Sequence, residues 1–293
     1  ELPGRRAGAG RDHGRGRPVT APAPLPPSPL ARWEDFLAAL AGRRPVVFLD
    51  FDGTLAPIVE RPEDAALPEA TRRAVGRLAG LTPVAVISGR ALDDVAPRVG
   101  LPDVCYAGSH GFEIRHQPSG LAHTVGEEFL PAVEQAAERL AEELADVPGA
   151  QVEPKRFSVA VHDRRVAETD RPRVAAAVER EVARQPKLTK RGGKRVYEVR
   201  PDFDWHKGRA LEWLLAELGL DTPRDVPLYL GDDETDEDAF QTLQERDHGL
   251  GIAVLTEPRP TAAAWAVASP EEARLFLERL AGELEAALTG PSP

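Results

Sequence analysis

Two carboxylates close the apolar run Val46-Val47-Phe48-Leu49-Asp50-Phe51-Asp52-Gly53-Thr54. Four apolar residues in succession suit a strand buried on both faces of a parallel sheet. Ligands of such sheets sit beyond the carboxyl ends of the strands, which is where Asp50 and Asp52 fall. Gly53 permits a tight turn that aims both carboxylates at one point, and Thr54 adds a hydroxyl and an amide beside them. A plain strand followed by an Asp-Gly turn has the same local pattern, so the other features brought to that point decide between the two. There are three: Ser88-Gly89-Arg90 after Pro83-Val84-Ala85-Val86-Ile87, Lys207 at a helix start, and an acidic run from Asp232 to Asp238 after Pro227-Leu228-Tyr229-Leu230-Gly231.

Acidic residues favour the first turn of a helix, which accounts for Glu234 and Glu237. It accounts poorly for Asp232 and Asp233, which follow a buried strand and would crowd Asp50 and Asp52. Clustered carboxylates repel unless a cation joins them. Oxygen-only ligands with open positions suit Mg²⁺, which also accepts a substrate phosphate as ligand. Beside such an ion a carboxylate can attack phosphorus and form an aspartyl-phosphate. A lysine and a hydroxyl would steady the charge on the transferring group. A second Asp two residues along could protonate the leaving oxygen and later deprotonate water. Taken alone, Lys207 reads equally as a surface lysine, and Ser88 as an ordinary Ser-Gly turn.

These residues need elements to hold them. Trp33, Phe36, Leu37 and Leu40 share one face of a short helix. The strand through Val46 follows, then a helix over 69–78 opened by Pro68, a second strand at 83–87, a short helix and a third strand at 104–107. Short links between alternating strands and helices predict right-handed βαβ units and a parallel sheet. The rhythm then changes: a hairpin turning at Pro118-Ser119-Gly120, a helix over 127–145, strands over 152–162, a helix over 169–184 and a hairpin around Gly192-Gly193. That order predicts a separate α+β module over 113–199, a cap inserted into a core formed by 31–112 and 200–293. The core resumes with a helix from Lys207, the strand before Asp232, strands over 249–254 and 263–268, and a closing helix over 271–288. Residues 1–30, rich in Gly, Arg and Pro, are expected to be a disordered tail. The predicted class is α/β: a Rossmann-like core plus an α+β cap.

The 293 residues, 42% hydrophobic, are enough for one large domain or two medium ones. A formal net charge of -11 argues against nucleic-acid or anionic-membrane partners and requires a local positive site for any anionic substrate. Cys105 is the only cysteine, so no intrachain disulfide can form, and a cytoplasmic setting is expected. No apolar run approaches the roughly 18 residues of a membrane span. The absence of Met, even at residue 1, is expected of a processed or truncated chain. A small-molecule substrate and action as a monomer complete these expectations.

The four ordered pieces, Asp50-Phe51-Asp52-Gly53-Thr54, Ser88-Gly89-Arg90, Lys207 and Gly231-Asp232-Asp233-Glu234-Thr235-Asp236, resemble the motifs of haloacid-dehalogenase-type phosphatases. From about Pro45 to Glu278 the chain is similar, more narrowly, to the trehalose-6-phosphate phosphatase family. Gly108-Ser109-His110-Gly111-Phe112-Glu113 resembles that family's segment after the third strand. Glu153-Pro154-Lys155 with Ser158 and His162-Asp163-Arg164 resembles its first cap signature, and Gly193-Lys194 with Tyr197-Glu198-Val199-Arg200-Pro201 resembles the second. Asp163 departs from the pattern, which usually has an aromatic there.

The resemblance implies Mg²⁺-dependent hydrolysis of trehalose 6-phosphate to trehalose and phosphate. Asp50 would be the nucleophile and Asp52 the general acid/base. Thr54, Ser88, Gly89 and Lys207 would cradle the phosphoryl group. Mg²⁺ would be held by Asp50, the Asp52 carbonyl and Asp232, with Asp233 and Asp236 in support. Arg90, Ser109, His110, Gly111 and Glu113 would meet the substrate from the core. Glu153, Lys155, Ser158, His162, Arg164, Lys194 and Glu198 would meet it from the cap. From spacing alone Glu153 and Lys155 share one strand face and read better as a solvated face of a half-buried sheet, and only the resemblance reverses that reading. His110 and His162 lack the partner spacing of a zinc site. Two alternatives stay open: a phosphatase for another sugar phosphate, such as sucrose phosphate or glucosylglycerate phosphate, and a non-catalytic sugar-phosphate-binding module.

Overall fold

The computed structural model describes residues 25–193, 195–246 and 248–289. The chain runs through α1 (Trp33–Leu40), β1 (Arg44–Leu49), α2 (Glu69–Ala79), β2 (Val84–Ile87), α3 (Leu92–Val99), β3 (Cys105–Gly108), β4 (Glu113–His116) and β5 (Leu121–Thr124). It continues with α4 (Leu130–Glu143), β6 (Gln151–Pro154), β7 (Val159–His162), α5 (Arg171–Arg184), β8 (Leu188–Gly193) and β9 (Val196–Pro201). It closes with α6 (Lys207–Glu217), β10 (Asp225–Gly231), α7 (Glu234–Gln244), β11 (Leu250–Val254), β12 (Trp265–Val267) and α8 (Pro270–Thr289).

Eight strands form one sheet in the order β12-β11-β10-β1-β2-β3-β4-β5, parallel from β12 to β3. β1 lies inside it, between β10 and β2. Alternate side chains of β1 feed two cores. Val47 and Leu49 join Phe36 of α1, Leu78 of α2 and Phe276 of α8. Val46 and Phe48 join Leu214 of α6 and Phe240 of α7. Each such fully buried side chain contributes about 1.5–3 kcal/mol. Phe48→Ala would remove that and leave a cavity, at a cost of about 3–5 kcal/mol. The strand ahead of Asp50 is therefore anchored from both faces, and its end is a fixed platform.

A second, four-stranded sheet runs β6-β7-β9-β8, antiparallel throughout. Val133, Ala136 and Leu140 of α4 and Val174, Ala177 and Val178 of α5 pack on one face, against Val159, Val161 and Val199. The other face carries the cross-strand row Glu153, Ala160, Glu198 and Arg191.

Three sequence expectations change. The hairpin β4–β5, expected inside the inserted module, extends the large sheet: β4 pairs antiparallel with β3, Ala107 opposite Ile114. Ile114 is buried in the core shared with Cys105 and Ala107, and the hairpin gives β3 backbone partners it would otherwise lack. Strand alternation reports that one face is buried, not which sheet buries it. Two strands do lie within 152–162, but residues 155–158 form the turn between them, with the Lys155 N–H donating to the Ser158 carbonyl at 2.8 Å, so Lys155 is off the strand face expected to carry it beside Glu153. The tail expectation fails for 25–30. There the Pro27 carbonyl accepts from the Ala266 N–H of β12 at 3.0 Å, Pro29 is buried and Leu30 packs on the core. Residues 1–24 lie outside the described residues.

Candidate active site

Parallel register brings three loops to one place. Leu49 stands opposite Leu230 on one side and Val86 on the other. Asp50, Ser88 and Asp232 therefore emerge from the carboxyl ends of three adjacent strands. Two glycines allow the approach. Gly53 has φ +77°, and a Cβ there would meet the Asp232 carboxylate at 2.1 Å. A Cβ on Gly231 would meet the Asp236 carboxyl carbon at 2.3 Å.

Lys207, the first residue of α6, is almost wholly buried, and its ammonium donates to Asp50 Oδ1 and Asp236 Oδ1, both at 2.7 Å. Burial works against its charge, yet the two carboxylates hold its pKa above the ordinary lysine value. Two buried carboxylates sharing one ammonium leave a surplus negative charge. Burial, followed by the nearby Asp236 and Asp232 charges, raises the Asp50 pKa well above its usual value against the pull of Lys207. Asp232 is pushed up to about 7, first by burial and then by Asp236 and Asp233. Such a surplus is what a divalent cation would relieve.

Oxygens of Asp50, Asp232 and Asp236 lie within 4.8 Å of one another, and the donor set is all oxygen, which fits Mg²⁺. The three are not equally free. Asp236 Oδ1 accepts from Lys207 and from the Tyr229 hydroxyl at 2.6 Å, while Oδ2 accepts the amides of Asp232 and Asp233, each at 3.0 Å. Four hydrogen bonds fill its acceptor capacity, so Asp236 is fitted to support and not to direct ligation. The Asp233 carboxylate caps α7 by accepting the Thr235 amide at 2.7 Å. Asp50 and Asp232 are the free candidates. Thr54, fully buried, donates to Asp232 Oδ1 at 3.3 Å in this structure and so stands on the metal side of the expected phosphate cradle.

Both oxygens of Asp52 are gripped by Arg90, through Nε at 2.7 Å and Nη2 at 2.8 Å. Arg90 also donates to Asp94 at 2.8 Å and to the Pro62 carbonyl at 2.8 Å. Arg90 thus orients Asp52, where the sequence suggested a contact with substrate. Ser88 is buried, and its hydroxyl accepts the Arg90 amide at 3.1 Å.

Ser109, His110 and Gly111 all adopt positive φ, at 51°, 58° and 94°. The two non-glycine residues are strained by roughly 1–2 kcal/mol each. Backbone bonds clasp this turn to the other: Ser109 N–H to the Arg90 carbonyl at 2.6 Å, and His110 N–H to the Ser88 carbonyl at 2.8 Å. Burial, reinforced by Lys207, lowers the His110 pKa to about 4, so its imidazole is neutral at pH 7.

The two sheets meet over this point. A cleft of about 30 Å³ is lined by Gly89, Ser109 and His110 from one side and Lys155, Ser158, Glu198 and Arg200 from the other. Ser158 donates to Glu198 at 2.8 Å. Phe157 stacks on Phe112 with ring centres 4.8 Å apart. Arg156 bridges to Glu113, whose other oxygen accepts from Ser109 at 3.2 Å. Glu113 is therefore engaged by an arginine of the β6–β7 turn and not open to a ligand. Glu153 and His162 pair with each other at 2.8 Å, away from the cleft, and Arg164 is exposed. Gly111 does not line the cleft, and Lys194 lies outside the described residues.

A family model described as trehalose-phosphatase matches residues 48–271. The chain belongs to the trehalose-phosphatase family. It is 42% identical to the probable trehalose-phosphate phosphatase H of Arabidopsis thaliana over 87% of this chain and 76% of that protein. It is 40% identical to the trehalose 6-phosphate phosphatase RA3 of Zea mays over 88% and 75%. The solved Aspergillus fumigatus trehalose-6-phosphate phosphatase superposes with a TM-score of 0.68 at 27% identity, over 88% of this chain and 99% of that one. A haloacid dehalogenase-like hydrolase from Bacteroides thetaiotaomicron shares the fold with a TM-score of 0.59 at 16% identity.

Sequence reasoning missed Arg156 and Tyr229. Arg156 carried no pattern of its own within the strands expected over 152–162, and Tyr229 read as one more residue of a buried strand. The departure at Asp163 has a structural counterpart: the residue is buried, and its Oδ1 has no hydrogen-bond partner among the described residues.

Proposed function

We propose that the chain hydrolyses trehalose 6-phosphate to trehalose and inorganic phosphate, with Asp50 as nucleophile. The observation that carries this reading is the Asp50–Lys207–Asp236 group beside Asp232, at the strand ends from which Ser88 and Gly89 also emerge, Gly89 sharing a cleft with Lys155, Ser158 and Glu198. Lys207 occupies Asp50 Oδ1, which leaves Oδ2 to attack phosphorus as the bond to the sugar oxygen breaks. Asp52 gives the departing oxygen its proton. It then takes a proton from water, whose oxygen attacks the aspartyl-phosphate, frees phosphate and restores Asp50. Both Asp52 oxygens rest on Arg90, so Asp52 must release at least one for each transfer. Asp50, the Asp52 carbonyl and Asp232 would hold Mg²⁺, with Asp233 and Asp236 behind them. When bound, the ion would screen the repulsion between carboxylate and phosphate and polarise the phosphoryl oxygen. Ser88, the Gly89 amide and the third N–H of Lys207 serve the phosphoryl oxygens.

Residues from α4 to β9 act as a cap over the core and recognise the sugar. Pockets for ligands of this size hold about 300–1,000 Å³, so a cleft of about 30 Å³ corresponds to the closed cap, and substrate entry requires opening. Both chain crossings carry an aromatic for that movement: Phe129 and Phe203 stack at 5.7 Å. No helix among the described residues is long and apolar enough to cross a membrane, and the reading is of a cytoplasmic enzyme acting as a monomer. The test is phosphate release from trehalose 6-phosphate, glucose 6-phosphate and sucrose 6-phosphate, with Mg²⁺ and with EDTA. Mg²⁺-dependent release from the first alone is expected. Release from all three would strip the cap residues of their recognition role, and release from none would end the phosphatase reading.

A further inference from the structure

We propose that the Tyr229 hydroxyl is a positioning group for phosphoryl transfer: through Asp236 it sets the direction in which Lys207 presents its free N–H. The inference deepens the proposed function and rests on Asp50 as the reacting carboxylate.

Packing alone does not call for a tyrosine here. The ring is fully buried and meets Phe240 edge-on at 5.7 Å, a space that phenylalanine would fill equally. A buried hydroxyl opposes folding unless it finds a partner. Its partner is Asp236 Oδ1 at 2.6 Å, an atom that also accepts Lys207 Nζ at 2.7 Å.

An ammonium has three N–H groups in tetrahedral arrangement. Lys207 spends one on Asp50 and one on Asp236, and two fixed directions determine the third. That third N–H is the one available to a phosphoryl oxygen. Its aim therefore depends on how firmly the Asp236 carboxylate is held. The amides of Asp232 and Asp233 hold Oδ2, while Oδ1, the lysine's acceptor, accepts besides Lys207 only the Tyr229 hydroxyl among the described residues. Tyr229 is itself rigid: it sits in β10, paired with Phe48 of β1 on one side and Gly251 of β11 on the other. The hydroxyl thus transmits the geometry of the sheet interior, through one carboxylate, to the reacting group. Displacements well under an ångström matter at this range.

The test is a double-mutant cycle of Tyr229→Phe and Asp236→Ala. Two readouts are taken with Mg²⁺ present: kcat and KM on trehalose 6-phosphate and p-nitrophenyl phosphate, and the affinity for orthovanadate by calorimetry. Tyr229→Phe keeps the ring, so the fold is retained, and thermal melting checks this. The expected result is a loss of about ten-fold in kcat on both substrates with KM within two-fold, and a parallel weakening of orthovanadate binding. In the Asp236→Ala background, removing the hydroxyl should change orthovanadate binding by less than two-fold, because no shared acceptor links it to Lys207. Equal losses in both backgrounds would overturn the proposal, as would an unchanged kcat in the parent background. If the unaltered chain hydrolyses neither ester, the phosphatase reading falls, and the orthovanadate cycle still decides whether Tyr229 acts through Asp236.

Discussion

Lowering the pH should weaken Mg²⁺ binding far above the range where an ordinary aspartate titrates. Asp232 stands at about 7 in the metal-free chain, raised from 3.8 by burial and by the Asp236 and Asp233 charges. A cation needs the ionised carboxylate, so binding must expel the proton. With one proton at a pKa of about 7, the apparent dissociation constant is about eleven times its limiting value at pH 6 and about a hundred times at pH 5. An aspartate at 3.8 would change it by roughly one per cent at pH 6. Asp50 is raised as well, so the fall can only be steeper. In linkage terms these folded-state carboxylates hold protons that the unfolded chain has released. Their contribution to stability is therefore present at low pH and lost as pH rises through about 7, and Mg²⁺ should restore it. The measurement is calorimetric titration of Mg²⁺ without substrate at pH 5.5, 6, 7 and 8, with melting curves alongside. An affinity flat between pH 6 and 8, or a midpoint below pH 5, would refute the argument that burial and neighbouring charge govern Asp232.

Asp50→Asn should lower kcat by at least a thousand-fold while leaving the melting temperature within a few degrees, since the side chain keeps its shape; substantial residual turnover would exclude Asp50 as nucleophile. Lys155→Ala and Glu198→Ala, at the cap side of the cleft, should reduce kcat/KM for trehalose 6-phosphate at least ten times more than for p-nitrophenyl phosphate, and equal losses would remove the cap from recognition. Arg156→Ala breaks the bridge to Glu113 and should loosen closure. A KM for the sugar phosphate raised about three- to thirty-fold is expected, with p-nitrophenyl phosphate turnover unchanged or faster, and an unchanged KM would show that the bridge does not hold the cap.

The core of the site was legible because its residues terminate elements that apolar runs announce. Asp50, Ser88 and Asp232 each follow a buried strand, and Lys207 opens a helix. The pairing of those residues was not legible. Arg90 grips Asp52 across 38 positions and Arg156 reaches Glu113 across 43, and nothing in local pattern marks either pairing. Asp236 shows a different limit: a carboxylate in an acidic run suggests a ligand, yet four hydrogen bonds occupy it. The hairpin β4–β5 shows a third, since period-2 alternation is identical whichever sheet a strand joins. Of the residues that the resemblance indicated over 153–198, Lys155, Ser158 and Glu198 line the cleft, while Glu153, His162 and Arg164 do not.

The narrowness of that closed cleft bears on which molecule can accept the phosphoryl group. A space of about 30 Å³ holds roughly two waters. That volume excludes a sugar from the cleft, but it does not govern access to the carboxylates, because a separate recess of about 530 Å³ opens beside Gly53 and Asp232. Water and other small hydroxyl compounds therefore reach the Asp232 side without passing the cleft. The choice among them falls to the groups that orient the attacking oxygen, and not to volume.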